Sequence, residues 1–356
     1  QTGADRLSLG GAIAANVHGR GLTMKPFVGD VESFVLVDAN GDALECSREQ
    51  NRELFELVIG GYGLFGIVYS VRLRLARRQK LVRRVEVRSV TGLIEAFDRR
   101  VDEGFEFGDF QFAIDAESSD FLNRGVFSCY RPVAIDTPIP KSTKTLRSEQ
   151  WEQLLHLAHV DKSEAFRRYS AHYLATDGQV YWSDRHQMGI YLDGYHTRLD
   201  ARLGACAKGT EVITEVYVPR SRLEGFLREA RRELRELDAD VIYGTIRLIE
   251  RDDESFLPWA REAFACMVLN LHTEHTPEGI DRAATMFRSL IDVALSFGGT
   301  FYLTYHRFAT RDQIETAYPE FREFLREKKR RDPNGVFRSD WHDHYRHLFD
   351  DSATRT

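Results

Sequence analysis

The chain has 356 residues, 42% of them hydrophobic and 29% charged, with a formal net charge of -6. That length holds two domains and a large core, and an acidic balance with no basic stripe among aromatics argues against a nucleic-acid partner. No apolar run nears the roughly 20 residues of a membrane span, which leaves peripheral membrane association open; the four scattered cysteines (Cys46, Cys129, Cys206 and Cys266) form no C-x-x-C and read as reduced thiols of a cytoplasmic protein.

The first informative stretch is Ser8–Gly21, SLGGAIAANVHGRG, where Gly10, Gly11, Ala12, Ala14 and Ala15 leave the backbone bare ahead of His18 and Arg20. Val31–Asp38 follows as a strand, turned by Asn40-Gly41 into Ala43–Cys46. Ser47-x-x-Gln50 then has the form of a capping box opening a helix through Leu57. A second glycine cluster comes next, Gly61-Tyr-Gly63-Leu-Phe-Gly66, a literal G-x-G-x-x-G. It lies after a helix and before the alternating strand Ile67–Leu75, the reverse of the order a dinucleotide fingerprint requires. Two bare clusters either leave a slot for a large flat or phosphorylated ligand or form a tight turn with no ligand. Ala76–Lys80 is a polar linker and the first domain boundary.

Beyond it the pattern predicts strands at Val82–Arg88, Phe107–Ile114 and Gly125–Tyr130 around a helix at Leu93–Val101, an α+β sheet with helices on one face. Trp151–Tyr173 reads as helical, and Val180 to His196 is aromatic and polar without a clean period. Strands follow at Thr210–Val218, Val241–Ile249 and Phe264–His272, with amphipathic helices over 223–237 and 278–297. Within the second of these strands, period two puts Tyr243, Thr245, Arg247 and Ile249 on one face. An inward Arg must meet a carboxylate or a ligand; Glu250, Asp252 and Asp253 are the structural candidates. Glu320–Arg331 has the charge pattern of a solvated helix face, and His342-x-His344-x-x-His347 reads as a surface helix, so no metal site is expected.

The segments LSLGGAIAANVHGRG, GDVESFVLVDANGDALECS and QNRELFELVIGGYGLFGIVYSVRLRL together resemble the second half of the FAD-binding domain of the vanillyl-alcohol oxidase / p-cresol methylhydroxylase (PCMH-type) superfamily. Within it the pattern is most similar to decaprenylphosphoryl-ribose oxidases, aldonolactone oxidases and alditol oxidases. The resemblance covers residues 3–78 and returns over 299–345. The family's first glycine-rich pyrophosphate loop has no counterpart here, so the sequence reads as a fragment. The resemblance implies FAD as cofactor, contacted at Gly3, Ser8, Leu9, Gly10, Gly11, His18, Val68 and Tyr302. It implies that Glu215, Thr245, Arg247 and His272 lie on strands roofing the flavin, with Thr245-x-Arg247 in place of the family's Glu-x-Arg. Arg20 stands where the ribose oxidases have Lys. Tyr305 stands where sugar oxidases place a catalytic Lys, and His306 follows it.

These residues imply three segments: 1–78 as the C-terminal half of the FAD domain, 79–298 as a cap carrying the substrate pocket, and 299–356 returning to the flavin site. The implied activity is oxidation of a CH–OH group of a sugar-, polyol- or lactone-like small molecule by hydride transfer to the flavin. His18, Arg20, Arg247, His272, Tyr305 and His306 are the candidate catalytic set, with Tyr305 or His306 taking the hydroxyl proton. Two alternatives remain open. One is a reductase or dehydrogenase on a lipid- or sterol-like substrate in a channel of Tyr181, Trp182, Tyr191 and Tyr195; the other is a non-catalytic binding fragment. The sequence leaves oligomeric state and flavin linkage open.

Overall fold

The computed structural model describes residues 6–141, 143–185 and 192–350. The chain starts with α1 (Leu9–Ala14), then the hairpin β1 (Val31–Val37) and β2 (Ala43–Ser47), α2 (Arg52–Val58) and β3 (Ile67–Leu73). Strand β1 pairs with both neighbours, so these form a three-stranded antiparallel sheet in the order β2-β1-β3. The Ser47 box does not cap α2: its hydroxyl accepts from the amides of Glu49 and Gln50 in a turn before the helix, and Asn51 occupies the N-cap.

The two glycine clusters meet. Gly60 N donates to Ile13 O (2.9 Å) and Tyr62 N to Ala14 O (2.9 Å), so the clusters bond to one another instead of flanking a slot. Gly61 has its place for a steric reason, since a Cβ there would fall 1.9 Å from the Leu57 carbonyl oxygen. Gly10 and Gly63, by contrast, present main chain with no other group within 4 Å of where a Cβ would stand.

The rest of the chain builds β4 (Lys80–Ser89), α3 (Leu93–Asp102), β5 (Phe107–Phe112), β6 (Arg124–Val133), α4 (Ser148–Val160), α5 (Lys162–Ala175) and β7 (Val180–Trp182). It continues with α6 (Tyr195–Leu203), β8 (Gly209–Pro219), α7 (Leu223–Glu236), β9 (Val241–Ile249), β10 (Phe264–Glu274), α8 (Pro277–Ser296) and β11 (Thr300–Phe301). Three helices close it: α9 (Arg311–Ala317), α10 (Phe321–Arg331) and α11 (Asp340–Leu348). The long helix expected over 151–173 is two, because Asp161 leaves helical geometry and caps α5, its side chain accepting from Glu164 N.

All eight strands from β4 onward, among the described residues, join one antiparallel sheet ordered β11-β8-β10-β9-β5-β6-β4-β7. The architecture is α+β, and β11 makes the segment after residue 298 an edge of this same sheet. Helices cover both faces, not one. Val216, Ile246 and Met267 are in register across β8, β9 and β10 and face α7 and α8, whose buried Phe226, Leu227, Phe287 and Ile291 complete the main core. The residues between them in sequence, Glu215, Thr245 and Val268, point to the opposite face, part of which α4, α5 and α6 cover. Among the described residues no helix is long and apolar enough to cross a membrane.

Candidate active site

The turn after α1 is held by Asn16, which is fully buried at φ 45, a conformation Asn tolerates better than most residues. Its amide donates to Asp252 Oδ2 (2.8 Å), its side-chain oxygen accepts from Val28 N (3.0 Å), and its carbonyl accepts from Trp259 Nε1 (3.1 Å). This anchoring delivers His18 against Trp259, with ring centroids 5.1 Å apart, and toward the sheet.

There His18 Nε2 lies 2.7 Å from Glu215 Oε2. The same carboxylate accepts from the Tyr217 hydroxyl (2.7 Å) and the Tyr305 hydroxyl (3.0 Å). Register explains the convergence. Tyr217 and Glu215 share one face of β8, and Cys266 of β10 stands between Tyr217 and Arg247 of β9. Burial alone would raise the Glu215 pKa; the His18 charge and hydrogen bond, Arg247 and Tyr217 outweigh it and hold it down at about 2. Burial pushes the Tyr217 and Tyr305 hydroxyls well above their ordinary range, so both act as neutral donors. The result is a buried, permanently ionised carboxylate surrounded by donors.

Arg247 has none of the structural partners expected for it. Glu250 pairs with Arg220 (2.7 Å), Asp253 with Lys25 (2.6 Å), and Asp252 is taken by Asn16 and Ser255. Its guanidinium interacts electrostatically with Glu215 while its Nε has no hydrogen-bond partner. Arg20 faces Asp109 at 3.9 Å, its Nε also without a partner. Tyr302 donates to the Ala15 carbonyl (2.6 Å), tying the C-terminal segment to α1. Ser8 accepts from Gly11 N, Leu9 is exposed, and Val68 pairs with Leu36 in the small sheet. Gly3 and Tyr191 lie outside the described residues.

Two candidates stand elsewhere. His306 points to the other face of β8, sharing a hydrogen bond with Thr214 (3.0 Å) and stacking on Phe287 (4.4 Å), so Tyr305 alone of this pair reaches Glu215. Burial lowers the His306 pKa to about 4, so the ring is neutral in the fold. Its folded value lies below the unfolded 6.5, so it costs stability as pH falls from 6.5 toward 4, by about 3 kcal/mol in all. His306→Phe, which keeps the stack, is expected to flatten that limb in urea melts between pH 7 and 4; an unchanged slope would assign the limb to other groups. His272 sits six residues along β10 from Cys266, about 20 Å at strand rise, and belongs to a different cluster around Glu211.

Glu215, named above only by its strand, is the hub, and Tyr217 and Trp259 were not anticipated. An acid alternating with Tyr in the apolar strand TEVITEVYV is the signal for the first two. Nothing local marks Trp259, which arrives from a loop.

Along the same sheet face a cavity of about 510 Å³ opens under α4, α5 and α6. Arg20, Arg83, Trp151, Tyr169, Tyr173 and Tyr243 are among its walls, and so are Tyr181 and Tyr195 of the expected aromatic channel. Trp182 instead carries the Arg78 guanidinium over its ring at 4.1 Å.

Residues 211–345 match the family model described as D-arabinono-1,4-lactone oxidase. The chain is 35% identical over 82 residues to cytokinin dehydrogenase 9 of Oryza sativa subsp. japonica, covering 23% of this chain and 16% of that protein. It is 37% identical over 81 residues to an uncharacterized oxidoreductase, ORF5 in the fasciation locus of Rhodococcoides fascians, covering 23% and 17%. Cytokinin dehydrogenase 5 of Arabidopsis thaliana is 33% identical over 82 residues, covering 23% and 15%. These similarities support the FAD-linked oxidase superfamily. The matched stretches span under a fifth of the length of those relatives.

FAD is the cofactor of that superfamily, and the residues present fit it. Gly10 and Gly63 offer open main chain on the joined glycine surface, and the Arg247 Nε without a partner lies in the group around Glu215. A FAD-linked oxidase needs both access to backbone and a polar pocket that excludes water.

Proposed function

We propose that this protein is an FAD-dependent oxidoreductase oxidising a CH–OH group of a sugar-, polyol- or lactone-like substrate. The observation that carries the reading is the buried Glu215 carboxylate with His18, Tyr217 and Tyr305 on its oxygens and Arg247 beside it. The region matching the lactone-oxidase model contains Glu215, Arg247, Tyr302 and Tyr305, and so supports a lactone- or sugar-like substrate. When bound, FAD supplies the acceptor for the hydride of the substrate C–H bond. Glu215, with its pKa at about 2, stays ionised at neutral pH and orients His18 through the contact at Nε2. His18 is the group that holds or passes the hydroxyl proton. Arg247, whose Nε has no hydrogen-bond partner among the described residues, is the donor free to polarise the same oxygen; Tyr305 spends its O–H on Glu215 and fixes that carboxylate, and Trp259 keeps the His18 ring in place and water out.

A second reading keeps the cofactor and changes the substrate. The cavity wall of Trp151, Leu154, Leu155 and Tyr169 favours a molecule with a flat apolar body, and cytokinin dehydrogenases are among the relatives. Anaerobic bleaching of the visible flavin bands by a panel of polyols, lactones and cytokinins separates the two. His18→Ala is expected to slow that bleaching by about 10²–10⁴-fold, the range for a positioned acid–base group. A colourless protein that releases no flavin on denaturation would sink both readings, and undiminished bleaching in the variant would remove His18 from the chemistry.

A further inference from the structure

We infer that a second cluster on the same sheet face, outside the Glu215 group, is a binding site for one divalent transition cation. Its ligands are His159 of α4, Glu211 of β8 and His272 of β10, whose ligand atoms all lie within 4.8 Å of one another; His196 of α6 stands on the other oxygen of the carboxylate. The two strands set Glu211 directly opposite His272 in register, and the two helices bring their imidazoles down onto that pair. His159 Nε2 lies 3.2 Å and His272 Nδ1 3.6 Å from Glu211 Oε1; His196 Nδ1 lies 3.3 Å from Oε2.

These contacts are not ordinary hydrogen bonds. Among the described residues, His159 Nε2, His196 Nδ1, His272 Nδ1 and Glu211 Oε1 are all buried from solvent, and none has an aligned hydrogen-bond partner. The His159 side chain is 5% exposed and that of Glu211 3%, so the unpartnered atoms are not rescued by water. Three lone-pair-bearing atoms, those of His159, Glu211 and His272, turned toward one another without alignment is what a shared cation requires. At metal–ligand bonds of about 2.0–2.1 Å, ligand atoms around one tetrahedral cation stand about 3.3 Å apart, close to the 3.2 and 3.6 Å from Glu211 Oε1 to the His159 and His272 nitrogens. Imidazole nitrogens with one carboxylate suit zinc first, and iron, cobalt or nickel next.

Two surrounding features serve such a site. The Tyr195 hydroxyl donates to Glu211 Oε2, fixing the carboxylate as an outer-shell partner does. Gly209 leaves room for the His272 ring, since a Cβ there would fall 2.2 Å from its Cε1. The location explains what the cation is for. Helices α4 and α6 roof the cavity, yet each buries only one residue fully, Ala158 and Leu199. Apolar packing holds them weakly, and a cation joining His159 to Glu211 and His272 of the sheet would clamp α4 in place. Ligands scattered over 113 positions have no local spacing, which is why no metal was expected from the sequence.

The test uses the full chain, dialysed against chelator and then titrated with Co²⁺ and with Zn²⁺. Expected are visible ligand-field bands with Co²⁺, displacement of Co²⁺ by Zn²⁺, and about one zinc per chain by mass spectrometry. His272→Ala is expected to lose the bands while keeping its circular dichroism. Gly209→Ala, which displaces the ring without removing a ligand, is expected to weaken binding by tenfold or more. Absence of bands in the unaltered chain, or bands unchanged in His272→Ala, overturns the assignment. Neither readout needs flavin or turnover, so failure here leaves the oxidoreductase reading standing.

Discussion

Replacing Glu215 by Gln is expected to cost about 3–5 kcal/mol of stability at pH 7, because it leaves the buried His18 and Arg247 without their anion. The acid dependence is the sharper signature. The Glu215 pKa is about 2 in the fold against an ordinary 4.5, so its ionised form adds about 3 kcal/mol at neutral pH, at 1.36 kcal/mol per unit. A depressed carboxylate gives stability that is complete above the unfolded value and lost as pH falls through the folded one. The window is therefore pH 4.5 down to 2. Urea melts of the natural chain and the Gln variant should differ most at pH 7, and the gap should narrow by about 2 kcal/mol at pH 3. An equal gap at both pH values would show that the carboxylate is not ionised in the fold.

Trp259→Ala is expected to be as damaging for a different reason. The indole is 2% exposed, stacks on Tyr217 at 4.7 Å, lies against His18 and Tyr302, and donates to the Asn16 carbonyl. Removing it opens a cavity and frees the turn that carries His18, at about 3–5 kcal/mol by the usual cost of a large aromatic truncation. Trp259→Phe, which keeps most of the stack and loses only the N–H donor, is expected to recover more than half of that. Thermal melts of the two variants decide it; equal losses would mean that the hydrogen bond to Asn16, not packing, holds the turn.

Periodicity made much of this fold readable. The range 31–38 was clear as a strand from its apolar run and the Asn40-Gly41 turn, 241–249 from a run rich in β-branched and aromatic residues, and α7 and α8 because their apolar residues recur at helical spacing. The break at Asp161 was hidden because Lys162–Ala175 continues the helical composition, and only the cap geometry ends one helix and starts the next. That helices cover the second sheet face was missed, although 151–173 read as helical, because α4 and α6 bury little and their sequences show weak apolar stripes. At the site, His18, Arg247 and Tyr305 could be named from the resemblance, and Glu215 was placed by it on a roofing strand, yet that Glu215 joins the other three could not be read. Period two put Glu215 and Tyr217 on one face, but which side chains cross strands to meet there depends on register, which lies between segments 30 to 90 residues apart. For the same reason His306 and His272 read as equals of their neighbours, although one points through the sheet and the other lies far along it.

Strand β8 carries both acids, Glu211 in the cavity wall and Glu215 in the His18 group, four residues apart on one face. At strand rise that is about 13 Å, and neither loop motion nor a shift of the covering helices can alter it. The strand thus works as a ruler. Whatever happens at one acid therefore takes place at a fixed distance from the other, set by the backbone of a single strand.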